Sequence, residues 1–325
     1  MIVSPDKNGQ IDGTVKRILD PIQTDKVLVP ITRLNDYVFN EKLYDLKEWI
    51  LVDYFEYGAN HWDRKETHFW GKNTEQFSYV PKTEEWEKFD KFCKDNPPTK
   101  ILKRELLKKD VTDNVFPVEY PSFYIVPDPQ TKEEYEKRPI EVFHFWGHSH
   151  EIRRAFHGGC FILAAQTGIG VVDNIDYIDR SIGEYKRLWV TVNTPHFARR
   201  PMEQILAING MSKLSVSFEG AGVKCFRHAE ASLNSLMVMR EDNLAWGYEW
   251  IDGVNCFKAI IGDNIDFIRG VSPVYHDALL SFVYKVILNC DNKYLHEVYV
   301  NGVNTAKKYQ LDNYINNYLQ PIINQ

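Results

Sequence analysis

The chain has little cysteine and no pattern in the cysteine it has. Cys93, Cys160, Cys225, Cys256 and Cys290 are odd in number, scattered and without a CxxC pair. That spacing argues against a disulfide framework or a structural zinc site, and fits reduced thiols in a cytosol-like compartment. No run reaches ~18 apolar residues, so no membrane span is expected. The opening MIVSPDKNGQIDG has neither a basic n-region nor an apolar h-region. The expectation is a soluble, cytoplasmic protein. Basic clusters are also missing. Lys108-Lys109 and Arg199-Arg200 are short pairs in a chain of formal net charge −6, which excludes a dedicated nucleic-acid coat but leaves room for a local phosphate pocket. Finally, no D-x-D triplet occurs. Asp173-Asn174-Ile175-Asp176 and Asp263-Asn264-Ile265-Asp266 come nearest, with carboxylates three apart, and read as turns and N-caps.

What is present is a large apolar and aromatic load. Of 325 residues, 44% are hydrophobic and 14% aromatic, with eight Trp and 18 Tyr, which excludes disorder and points to a clefted, ligand-handling globule. At ~150 residues per domain the length suggests roughly two domains.

The apolar blocks are short. KVLVPI and ILVDYFEY, on either side of the helical NEKLYDLKEW, are too brief for helices and suit strands buried on both faces. An α/β domain therefore begins near residue 25. Between Phe116 and Pro139 stand Pro117, Pro121, Pro127, Pro129 and Pro139, a density that reads as an ordered linker. This puts a boundary near residue 135, with domains of 1–135 and 136–325. Beyond it strand and helix alternate: EVFHFW, HEIRRAFHGG, KRLWVTV, RRPMEQILAIN, KLSVSF, GVKCFRHAEASLN, LMVM. That rhythm predicts parallel strands with right-handed crossovers in a Rossmann-like sheet. Helices are expected from about 276 to 289, 294 to 309 and 311 to 319. Residues 1–24 suggest no role.

Two strand-to-helix turns carry candidate chemistry. In KLSVSF-EGAG-VKCFRHAE, Gly220 and Gly222 allow a tight turn with bare N–H groups near a ligand, and a following helix favours an anion. Lys224 and Arg227 share a helix face, and Glu230 continues the stripe; its carboxylate can bind two ribose hydroxyls. The structural alternative is an exposed charge ladder behind a plain turn. The second turn is Gly147-His148-Ser149, leading to Arg153 on a helix, with a capped helix as the alternative. His144, His148 and His150 stand at even spacing, but no fourth metal ligand accompanies them.

SKLSVSFEGAGVKCFRHAEASLNSLMVM, followed by WGYEWIDGVNCF, resembles the donor-binding half of GT-B-fold glycosyltransferases. The resemblance covers residues 136–325. It implies two Rossmann-like domains with a cleft between them, a C-terminal helix crossing back over the first, and an α/β fold throughout. It also implies a nucleotide-diphosphate sugar as donor, with no other cofactor. Glu230 matches the ribose-holding carboxylate, Arg227 or Lys224 the diphosphate's positive partner, and Glu219 a residue facing the donor sugar. Gly147, His148, Ser149 and Arg153 look like the family's first donor loop. The sequence departs from the family's EX7E motif, because Glu219 and Glu230 are eleven apart rather than eight. Absence of D-x-D favours a metal-independent route in which positive side chains and helix dipoles stabilise the leaving diphosphate. A base for the acceptor hydroxyl is expected in the first domain: Asp53, Glu56 or His61, at or after a strand's C-terminal end. The expected partners are a nucleotide sugar and a glycan acceptor. A nucleotide-sugar epimerase or hydrolase of the same fold, or a non-catalytic carbohydrate- or nucleotide-binding module, are the rival readings.

Overall fold

Val27–Pro30 (β1), Trp49–Asp53 (β2), Lys100–Lys103 (β3) and Val115–Pro117 (β4) pair in that order into a parallel sheet. The computed structural model describes residues 10–30, 48–54, 91, 94–104, 106, 108–147, 168–173, 175–185, 187–194, 201–217, 226–240, 244–259, 286 and 290–325. Consecutive side chains of a strand point to opposite faces, and Ile50 and Leu51 are both fully buried, so both faces of β2 are covered. Val27–Pro30 of KVLVPI and Ile50–Asp53 of ILVDYFEY thus lie in strands, as their composition requires. Pro117, which has no N–H to give a neighbour, ends the strand at the sheet's edge.

The second sheet holds Ile140–Gly147 (β5), Gly170–Val172 (β6), Leu188–Thr194 (β7), Ser212–Ser217 (β8), Leu236–Arg240 (β9) and Phe257–Ala259 (β10). Its order is β10-β9-β8-β5-β7-β6 and every pairing is parallel. Helices 178–184, 202–210, 226–231 and 292–308 belong to the same unit. Ile205 and Ile208 of helix 202–210 join Ile140, Phe143, Leu188 and Val190 in one apolar cluster. Within the described residues the expected strand and helix alternation is what folds, with β6 and β10 as three-residue additions; the helix expected at 150–159 and the start of the one expected from 222 lie outside them.

Each sheet anchors its own unit. One comprises Met1–Pro121, Asn243–Glu249 and Leu311–Gln325, the other Ser122–Asp242 and Trp250–Gln310. The division falls between Pro121 and Ser122, not near residue 135. The proline-dense segment is not a free linker, because its start is β4 of the first unit and its end belongs to the second. There Thr131 caps helix 132–136: its side chain accepts from the Glu134 N–H, and the Glu134 carboxylate accepts from the Thr131 N–H.

Arg138 follows that helix and is buried with all five guanidinium hydrogens engaged. Nε donates to Gln130 Oε1 at 2.9 Å, Nη1 to the carbonyls of Ser212 and Asn234 at 2.6 and 2.7 Å, and Nη2 to Asn234 Oδ1 and Tyr299 OH at 3.3 and 2.9 Å. The rings of Tyr135 and Tyr299 lie 4.9 and 4.7 Å from the guanidinium carbon. One cation therefore ties together the starts of β5, β8 and β9.

The last residues return to the first unit as the C-terminal crossing predicts. Leu311–Tyr314 is helical, Ile315–Leu319 forms a π-helical turn, and Gln320–Asn324 closes the chain as α-helix. Pro321 stands in the first turn of that closing helix; lacking an N–H, it cannot make the bond to the Asn317 carbonyl that a continuous α-helix would need, and the widened turn precedes it. Tyr318 OH donates to the Pro117 carbonyl at 2.7 Å, and Lys100 Nζ donates to the carbonyl of Ile322.

Candidate functional site

In an open parallel sheet, ligands bind beyond the C-terminal strand ends where the direction of winding reverses. From β5 the chain moves outward to β6, returns to β7 beside β5, then crosses to β8 on the other flank of β5 and continues through β9 to β10. The reversal lies between β5 and β8. β5 ends at Gly147 and β8 at Ser217. Both turns singled out in the sequence, 147–149 and 219–222, leave from these two adjacent strand ends, so the pairing brings their starting points together. The parallel register Phe143↔Ser215 fixes that neighbourhood.

Of the donor-site candidates, Gly147 terminates β5, and Arg227 and Glu230 lie on helix 226–231. Glu230 is half-buried. Its carbonyl accepts from Asn209 Nδ2 at 2.8 Å, and Asn209 Oδ1 accepts from Ser235 Oγ at 2.8 Å, which locks this helix against helix 202–210 and the start of β9. His148, Ser149, Arg153, Glu219, Gly220, Gly222 and Lys224 lie outside the described residues.

His144 is a core residue. Trp189 Nε1 donates to its Nδ1 at 3.2 Å; an indole can only donate, so the neutral ring carries its proton on Nε2 and offers it to Thr191 Oγ1. Both nitrogens are occupied, which removes His144 from any metal row. Among the described residues no group of three His, Cys, Asp or Glu side chains stands close enough to hold a metal ion.

In the first unit, Asp53 is wholly buried and its Oδ2 accepts from Lys103 Nζ at 2.7 Å, with Asp53 and Lys103 register partners at the ends of β2 and β3. Its carboxylate belongs to an internal ion pair, an arrangement suited to architecture rather than to taking an acceptor's proton. Glu56 and His61 lie outside the described residues. Beside the pair is a group that pattern reading missed. Glu119 accepts from Gly247 N–H at 3.0 Å and from Tyr314 OH at 2.9 Å, while its own N–H donates to that phenol at 2.9 Å. The ring of Tyr314 packs against those of Tyr248 and Tyr318, which also meet each other, and the Arg104 guanidinium lies 4.8 Å from the Tyr120 ring. Burial, and then the Glu119 charge, push the phenols of Tyr54 and Tyr318 well above their ordinary range. The signal in the sequence was slight: two basic residues, Lys103 and Arg104, interrupt the short apolar block KILKREL.

No family model matches the chain, and no curated protein matches it. Solved structures do. The GtfA/B complex matches with a TM-score of 0.52 at 12% identity over 96% of this chain, and the chain spans 59% of that one. The fold is GT-B-like. The trehalose-6-phosphate synthase OtsA matches at 10% identity and a TM-score of 0.49 over 96% of this chain and 76% of its own. An alpha,alpha-trehalose-phosphate synthase from Burkholderia xenovorans, solved in complex with glucose-6-phosphate, matches at 10% identity and a TM-score of 0.47 over 97% of this chain and 79% of its own. Among the described residues of this GT-B-like chain, no helix is long and apolar enough to cross a membrane.

Proposed function

We propose that the chain is a metal-independent glycosyltransferase that moves a sugar from a nucleotide-diphosphate sugar to an acceptor hydroxyl. The carrying observation is that both turns with phosphate-binding character leave from the neighbouring strand ends at the winding reversal. In this reading backbone N–H groups of 147–149 and 219–222 meet the diphosphate, Lys224, Arg227 and Arg153 balance its charge, Glu230 holds the ribose, and Glu219 faces the sugar. The acceptor oxygen attacks the anomeric carbon as the bond to the diphosphate oxygen breaks, so the nucleoside diphosphate leaves with the electron pair. Positive side chains lower the barrier by stabilising that departing charge, and Glu56 or His61 takes the acceptor's proton. Asp53 is spoken for by Lys103.

The test is a thermal-shift panel of nucleoside diphosphates and nucleotide sugars, since a ligand held only by the folded state raises the apparent melting temperature. Arg227→Ala and Glu230→Ala are expected to weaken the shift without unfolding the protein. Equal shifts in wild type and both variants would remove the site assignment. Product analysis then separates a transferase, which releases nucleoside diphosphate only when an acceptor is present, from an epimerase, which returns an isomeric nucleotide sugar.

A further inference from the structure

Two buried hydroxyls among the described residues, Tyr54 OH and Ser217 Oγ, meet no hydrogen-bond partner in the protein. Both stand at C-terminal strand ends: Tyr54 directly follows β2, and Ser217 is the last residue of β8. Ser217 is 0% exposed. Three other buried serines of the same unit are satisfied. Ser212 Oγ donates to the Ile208 carbonyl at 2.7 Å, Ser232 Oγ to that of His228 at 2.8 Å and Ser235 Oγ to Asn209 Oδ1 at 2.8 Å. A hydroxyl withdrawn from water without a partner is destabilising, and alanine at this strand end would avoid that cost. Unmet hydrogen-bonding capacity at the ligand edge of a sheet becomes useful when a ligand supplies the missing partner.

We infer that Ser217 Oγ is a ligand-binding hydroxyl of the second unit, donating to an oxygen of the nucleoside diphosphate at the reversal between β5 and β8. The inference rests on the donor reading above and adds to it a residue that neither the turn motif nor the family pattern named. The hydroxyl is neutral and its acceptor is anionic, so the bond is charge-assisted and strengthens affinity without adding charge to the site.

Titration calorimetry with UDP, GDP and ADP tests it. For whichever nucleotide wild type binds, Ser217→Ala is expected to lose roughly tenfold or more in affinity, while the melting temperature of the ligand-free protein stays level or rises. Ser217→Cys leaves no void, sulfur being larger than oxygen, and weakens the donor, so it should lose affinity similarly, excluding a cavity effect. Ser212→Ala, at the other end of β8, should do the opposite: a lower melting temperature and affinity within about twofold of wild type. Wild-type affinity in the Ser217 variants overturns the inference alone, leaving the hydroxyl as a core group. A wild-type protein that binds none of the three nucleotides overturns it together with the donor reading.

Discussion

Removing the carboxylate of Asp53 strands the Lys103 ammonium, 1% exposed, without the counter-charge it meets at 2.7 Å. Asp53→Ala is therefore expected to cost about 3–5 kcal/mol of stability, read as a lower urea midpoint at unchanged slope. A variant of wild-type stability would restore Asp53 as a base candidate. Tyrosines make a second residue-scale prediction. Tyr54, Tyr135 and Tyr318 all have phenols raised mainly by burial. A raised folded pKa means that the native state keeps a proton the unfolded chain gives up. This stabilisation is complete below the unfolded value of about 10 and is lost as pH climbs beyond it toward the folded values. Denaturation midpoints should hold to about pH 10 and then fall, with tyrosinate absorbance from these rings appearing only as the protein unfolds. Tyrosinate forming in an intact fold near pH 10 would contradict it. Such residues were hard to read in advance. Arg138 meets Ser212, Asn234 and Tyr299 across 74, 96 and 161 residues, distances that local patterns do not span.

At the scale of elements, helix 292–308 shows what periodicity reveals. Leu295, Val298, Tyr299, Val303 and Ala306 recur at helical spacing and are buried, and Asp291 caps the start by accepting from the Lys293 N–H at 3.0 Å. Gly302 lies on the same buried stripe because a β-carbon there would meet the Asn255 carbonyl oxygen at 2.6 Å. Alanine is otherwise better than glycine in a helix by about 1 kcal/mol, so a gain in stability is the expectation from propensity alone. The close backbone approach reverses it. Gly302→Ala should lower the melting temperature, and a rise would show that the helix shifts freely over residues 251–255. Strands β6 and β10 escaped the sequence because three residues carry no measurable period. The two candidate turns stood out in the sequence because each follows an apolar block and contains glycine; of them only Gly147 lies within the described residues. Their adjacency was not legible: alternation predicts parallel strands, whereas placing β8 against β5 depends on which long-range pairing wins.

For the whole molecule, composition and rhythm were enough to expect two α/β bodies, but not their membership. Asn243–Glu249 and Leu311–Gln325 belong with the N-terminal sheet, because Glu119 engages Gly247 and Tyr314 while Tyr318 engages Pro117. Proline density near residue 135 marked a boundary too late, since its earliest members finish β4. A ribosome delivers this chain in order at roughly 5–20 residues each second. The sheet made first therefore waits for helices made after all of its partner body, while that partner already has its sequence in hand by Gln310. The body begun earliest is the one completed latest, and its sheet, finished by Pro117 but still lacking those later segments, needs shielding for the intervening stretch of synthesis.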